Sequence, residues 1–141
     1  MTLKPHKACD AKLDKIKKVM WVMPKLDGVR ALHVNGDFQS RTLTAFPNVN
    51  LVAFNRRVFR GLDGELVKGE ATSGFSCRDT TSGISTIYGP PAKEFTWHIF
   101  DSIELEVPYA KRYERAAQRV EQLASEGLNL QIVPFLVAQS L

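Results

Sequence analysis

The sequence predicts an α+β fold built mainly on antiparallel sheet, in one domain. Three observations carry that expectation. Short apolar runs bounded by turn residues read as strands, an Asn-Gly pair marks a tight hairpin, and strands and helices are mixed instead of strictly alternating as in a doubly wound parallel fold. The 141 residues suit one domain with its own hydrophobic core. Apolar content of 44% and charged content of 24% are ordinary for a soluble globular chain. No apolar run reaches the roughly 18 residues of a membrane span.

The elements follow in order. Residues 10–18 fit a short helix. "VMWVM" (19–23) reads as a buried strand ended by Pro24, whose missing N–H cannot continue a ladder. "RALHV" (30–34) alternates and reads as the second strand, with Lys25 at the mouth of the hairpin between them. "NGD" (35–37) turns the chain, because Asn-Gly accepts positive φ, and "FQSR" returns as a third strand. Leu51, Phe54 and Val58 recur at helical spacing, which predicts an amphipathic helix over 48–59 stopped near Gly61. "LDGELV" (62–67) is a strand. The Ser/Thr/Gly-rich stretch 70–93 is loop with a short helix near 75–85. "FTWHIF" (95–100) is a strand, Tyr109–Glu126 the clearest helix, and "LQIVPFLV" a single last strand.

Net charge is +4, a mild bias toward a polyanionic partner. It is clustered: residues 1–18 carry six lysines against two aspartates, and "NRRVFR" (55–60) adds three arginines with no acid. Cys9 and Cys77 lack metal-site spacing and read as free thiols of a reducing cytoplasm. The N-terminus is basic without an apolar signal core. His33 and His98 lie on strands without zinc or triad spacing, and Trp21 and Trp97 read as core.

The stretch "PKLDGVR" (24–30) raises a chemical question. One reading is a surface turn decorated by Lys25 and Asp27. The other is a nucleophile. A lysine amine attacks only when neutral, and with an ordinary pKa of about 10.4 roughly one molecule in a thousand is neutral at pH 7.4. Positive charge nearby, from Arg30, Arg41 or a bound metal, favours the neutral amine and stabilises the oxygens of a phosphate under attack. Lysine, glycine and arginine together suit formation of a phosphoramide bond with a nucleotide.

Lys25-Leu26-Asp27-Gly28-Val29-Arg30 matches K-x-D-G-x-R, the signature of the covalent nucleotidyltransferases: ATP-dependent DNA ligases, RNA ligases and mRNA capping enzymes. Further matches follow in the family's order. They are Ser40-Arg41 in "SRTLTAFPN", Asp63-Gly64-Glu65 in "LDGELV", and Phe100-Asp101 in "FTWHIFDSI". The "PKLDG" opening, "LDGELV" and the Thr-Thr-Ser near 80 most resemble the small ATP-dependent DNA ligases of bacteriophages, over about residues 15–141.

The resemblance implies a nucleotidyltransferase (ligase adenylation) domain. Lys25 would be the adenylated nucleophile, with ATP as AMP donor and release of pyrophosphate. Arg30 and Arg41 would hold the sugar and phosphate of the nucleotide or the 5′-phosphate of a nick, as bidentate guanidiniums do well. Glu65 would bind the ribose hydroxyl or help hold Mg²⁺ or Mn²⁺, and Phe100 would stack on adenine. Asp63, Glu65 and Val67 share one face of their strand, and Gly64 lets a ligand approach. Lys15, Lys17, Lys18, Arg56, Arg57 and Arg60 would contact the backbone of nicked double-stranded DNA in a salt-sensitive, sequence-independent way. A cytoplasmic location is expected, that of the bacterial host if the chain is phage-encoded.

The departures are as informative. Complete ligases carry a later E-G-aliphatic motif and then K-x-K. Glu126-Gly127-Leu128 has the first's letters but closes a helix, "KIKK" (15–18) lies on the wrong side of the nucleophile, and no oligonucleotide-binding domain follows. The resemblance therefore implies that residues 1–141 are the N-terminal part of an adenylation domain that does not seal nicks alone and is completed by a C-terminal segment or second polypeptide. Three alternatives stand beside it: an RNA ligase or capping guanylyltransferase, a non-catalytic nucleic-acid-binding remnant, and one half of a split enzyme.

Overall fold

The computed structural model describes residues 19–69, 76–104, 106–124 and 129–139. Among them the order is β1 (Val19–Val22), β2 (Val29–Val34), β3 (Asp37–Gln39), α1 (Val49–Phe54), β4 (Leu62–Lys68), α2 (Ser76–Ser85), β5 (Phe95–Ser102), α3 (Tyr109–Leu123), β6 (Asn129–Ile132) and β7 (Leu136–Gln139). The chain divides into two units, residues 1–25 with 133–141, and residues 26–132. The expected helix over 10–18 lies outside the described residues. None of the described helices is long and apolar enough to cross a membrane.

In the smaller unit β1 pairs antiparallel with β7, from Val19 opposite Gln139 to Val22 opposite Leu136. This corrects the expected hairpin between the first two strands. Lys25 belongs to this unit, exposed just past Pro24, on the link between strands of two different sheets.

The larger unit holds a five-stranded sheet in the order β3-β2-β4-β5-β6. Asn35 and Gly36 take φ of 54° and 84°, the pair of positive angles that a two-residue hairpin turn needs to join β2 to β3. The β2/β3, β2/β4 and β4/β5 pairs are antiparallel, as expected. The β5/β6 pair is parallel, with α3 as its crossover, so the antiparallel expectation fails at that edge. The predicted last strand is in fact two. Pro134 interrupts it, leaving β6 in the large sheet and β7 in the small one.

The predicted 48–59 helix is also cut short. Asn48 caps α1 by accepting from the amides of Asn50 and Leu51, but Asn55 leaves the helix. Its side chain instead meets His33 Nε2 at 2.5 Å and donates to the Gly36 carbonyl. A separate 3-10 turn over Arg57–Phe59 follows, and Val58 is 57% exposed instead of lying on a buried stripe.

One face of the sheet is apolar. Ala31, Leu66, Trp97, Ile99 and Leu130 sit there in register and pack with Phe38, Phe59, Phe95, Ile84 of α2, and Ala116 and Val120 of α3. Trp97 is fully buried, contacts Phe38 and Phe59 edge-on, and donates its indole N–H to the Ala31 carbonyl at 3.1 Å. Buried His33 lies edge-on to the same two phenylalanines. Both are the structural residues that the sequence suggests.

Gly64 sits against the β5 backbone, beside the slip in register between the two strands. A Cβ there would strike the His98 carbonyl and the Ile99 Cα. Gly64→Ala is expected to cost about 1–3 kcal/mol of unfolding free energy through overpacking, more than its entropic gain of about 0.4–1 kcal/mol. Urea unfolding of the variant beside wild type measures it; equal midpoints would contradict the close approach.

Candidate functional site

The opposite face of the sheet carries charged residues beside the buried Leu32 and Val67. Register places Arg30 of β2 opposite Glu65 of β4, and Glu65 opposite His98 of β5. Asp63 lies two residues before Glu65 and so shares its face. The register then slips by one residue: Gly64 pairs with Ile99, but Asp63 pairs with Asp101. Phe100 is the extra residue of a β-bulge. The bulge turns two consecutive side chains toward β4's charged side. The Phe100 ring lies 4.8 Å beneath the Arg30 guanidinium, and the Asp101 carboxylate repels that of Asp63.

Arg30 is held from two sides. Its Nε donates to Asp63 Oδ1 at 2.7 Å and its Nη2 to Asp63 Oδ2 at 2.5 Å, a bidentate pair. The side chains are 11% and 2% exposed, so the pair is largely dry. Burial drives the Asp63 carboxyl above its ordinary value, against the lowering by Arg30's hydrogen bonds and charge, and Asp101 raises it further. The pair thus carries a desolvation cost, and removing one partner would leave a buried, uncompensated charge.

Glu65 is half-buried. Burial raises its carboxyl to about 6, opposed by the Gly28 amide that hydrogen-bonds to it and by the Arg30 charge, while Asp63 and Asp27 push it further up. Gly28 itself presses against β4: a Cβ there would meet the Leu66 carbonyl and lie 2.7 Å from Val67 Cγ2. A glycine is therefore required for the amide to reach Glu65. His98, also half-buried, is held below its ordinary value by desolvation.

The start of α3 closes the far end of this face. Tyr109 Oη donates to the Phe100 carbonyl at 2.5 Å, and Arg112 Nε lies 3.2 Å from Asp101 Oδ1. The Arg112 guanidinium also covers the Tyr109 ring at 5.4 Å.

The structure therefore brings together Arg30, Glu65 and Phe100 of the residues singled out in the sequence. Arg41 is exposed on the turn after β3 and takes no part in the hydrogen bonds or ion pairs of the cluster. Lys25 falls in the other unit. Arg56, Arg57 and Arg60 are exposed around the 3-10 turn, with Arg56 stacked over Phe54 and bonded to the Phe54 and Asn55 carbonyls. Lys15, Lys17 and Lys18 lie outside the described residues. Sequence reasoning missed Asp63 as the partner of Arg30, and it missed the Asp101, Tyr109 and Arg112 group. The signals were there: Asp63 alternates with Glu65, and Tyr109 and Arg112 are three apart on a helix.

No family model matches the sequence, and no curated protein matches it. Solved structures do match the fold, an α+β arrangement around a five-stranded sheet found in DNA ligases. The Chlorella virus DNA ligase-adenylate superposes with a TM-score of 0.68 at 19% identity, covering 94% of this chain and 49% of that one. A Lig E DNA ligase gives 0.70 at 19% identity over 99% of this chain and 54% of that one. The chain thus spans about half the length of these two ligases.

The burial of Glu65 gives a signed expectation. The folded state holds its proton more tightly than the unfolded chain, so this residue's contribution is most favourable below about pH 4.5 and is lost as pH rises through about 6. Discounted for partial exposure, Glu65→Gln should be more stable than wild type by about 1 kcal/mol at pH 8, and no more stable at pH 4.5. Urea unfolding at the two pH values checks the sign; a variant weaker than wild type at pH 8 would show that the ionised carboxylate stabilises the fold.

Proposed function

We propose that this chain is the nucleotide-charging part of an ATP-dependent DNA ligase, with Lys25 as the group that accepts AMP. The observation that carries this reading is the convergence of Arg30, Glu65 and Phe100, drawn from three strands, on one charged sheet face. The ordered motifs that begin at Lys25 and the ligase fold support it as well.

The chemistry follows from the residues. The Lys25 amine, once neutral, attacks the α-phosphorus of ATP. A P–N bond forms, the P–O bond to the β-phosphate breaks, pyrophosphate leaves with the electron pair, and the nitrogen gives up one proton to water. The Phe100 face turned away from Arg30 would stack on adenine. Glu65 would accept from a ribose hydroxyl and offer a carboxylate oxygen to Mg²⁺ or Mn²⁺. Among the described residues no three His, Cys, Asp or Glu side chains gather as a metal site. Mg²⁺ takes one or two protein carboxylates and completes its shell with phosphates and water. When bound, such an ion would neutralise the triphosphate and the departing pyrophosphate. Arg30, anchored by Asp63, would present fixed positive charge beside the nucleotide. Arg41 would act on a phosphate from its exposed turn. Sealing of nicked duplex DNA would use the charged lysine, with the 5′-phosphate of the nick as the next AMP acceptor.

Incubating the chain with α-labelled ATP and Mg²⁺ tests this. The expected result is an acid-labile protein-bound label, absent in Lys25→Ala and not formed from labelled GTP. Label that survives Lys25→Ala would overturn the assignment; label from GTP alone would favour a capping enzyme. No label from either nucleotide would favour a non-catalytic nucleic-acid-binding module.

Duplex binding gives a second expectation. Arg57 and Arg60 are exposed, whereas Arg56 donates to the Phe54 and Asn55 carbonyls and stacks over the Phe54 ring. Arg57→Gln with Arg60→Gln should weaken binding to nicked duplexes of any sequence, and reduce the log-log salt slope by about 0.9 for each lost phosphate contact. Fluorescence anisotropy across a salt series reads both. An unchanged slope would place the DNA elsewhere.

A further inference from the structure

We propose that Tyr109 and Arg112, in the first turn of α3, are positioning residues that set the Phe100 ring for the nucleotide base. The inference rests on the reading of Phe100 given above, and it assigns work to a helix outside the ordered motifs. The bulge between β4 and β5 makes it necessary. A bulged residue drops out of the ladder, so its backbone and ring need holding by something other than the neighbouring strand. Tyr109 does the first job, with its hydroxyl on the Phe100 carbonyl at 2.5 Å. Burial, then the charge of Asp101, holds that hydroxyl well above its ordinary range, so it stays a donor.

Arg112 acts on the ring indirectly, through Asp101 and Arg30. It pairs with Asp101, the residue next along the bulge, and lies over the Tyr109 ring. Without it, the Asp101 carboxylate would stand beside Asp63 with less compensation, and both would compete for Arg30. Arg30 rests on the Phe100 ring, so a shift of its guanidinium would move the base-binding surface itself. Two arginine–carboxylate pairs therefore bracket one aromatic ring, Arg30–Asp63 on the strands and Arg112–Asp101 from the helix.

The test is the rate of labelling from α-labelled ATP, measured against ATP concentration, for the wild-type chain, Tyr109→Phe and Arg112→Lys. Tyr109→Phe keeps the ring and loses only the hydroxyl. The half-saturating ATP concentration should rise about tenfold, the worth of one ordinary hydrogen bond, with the plateau rate little changed. Arg112→Lys keeps the charge but loses the planar guanidinium that covers the Tyr109 ring, and should shift half-saturation in the same direction. A lower melting temperature with unchanged half-saturation in both variants would mark a purely structural role and overturn the proposal. A wild-type chain that takes no label would overturn the underlying reading, and this proposal with it. Labelled wild type with coincident variant curves would overturn the positioning assignment alone.

Discussion

Strand β4 carries two carboxylates through the middle of a sheet, and their desolvation is the constraint around which the charged face is built. Asp63 is buried and Glu65 half-buried, so each must be compensated locally. Asp63 takes both arms of one guanidinium. Glu65 takes a backbone amide, which only a glycine at 28 can bring close enough. Arg30, fixed by the first carboxylate, then rests on Phe100, and Asp101 needs its own arginine from α3. Each charge that is buried calls in the next partner, until the chain of partners reaches a helix that shares no sheet position with β4.

The two faces of β4 divide the work. On one, Leu62 and Leu66 join the apolar core with Trp97 and Ile99, which fixes the strand. On the other, the same alternation delivers Asp63 and Glu65. Gly64 belongs to the core side, yet it governs the charged side, because the close approach it permits lies beside the slip in register that turns Phe100 and Asp101 together.

Much of this was legible in the amino-acid order. Asn35-Gly36 announces its hairpin, the alternation in "LDGELV" places Asp63 and Glu65 on one face, and the apolar spacing from Tyr109 marks α3. What was not legible depends on partners distant in sequence. Nothing local says that Asn55 leaves its helix for His33 and Gly36, 22 and 19 residues away. The choice of β7 over β2 as the partner of β1 is likewise a long-range matter, and so is the parallel placement of β6. The alternation of "FTWHIF" stops at Ile99-Phe100, but an apolar pair alone does not define a bulge; the register against β4 reveals the extra residue. Arg41 was singled out by its neighbour Ser40 and the motif order, but its exposed turn is independent of the ladder that gathers Arg30, Glu65 and Phe100.

The pairing of β1 with β7 has a kinetic consequence. Val22 meets Leu136, so the ladder closes a loop that contains the whole five-stranded sheet. Closing so long a loop is slow in proportion to its entropy, and rates fall as contacts become less local. During synthesis β1 leaves the ribosome before the strands of the larger sheet, and β7 after them. The strand that leads into Lys25 must therefore wait, unpaired with β7, while hairpins such as β2–β3 are free to form around short turns.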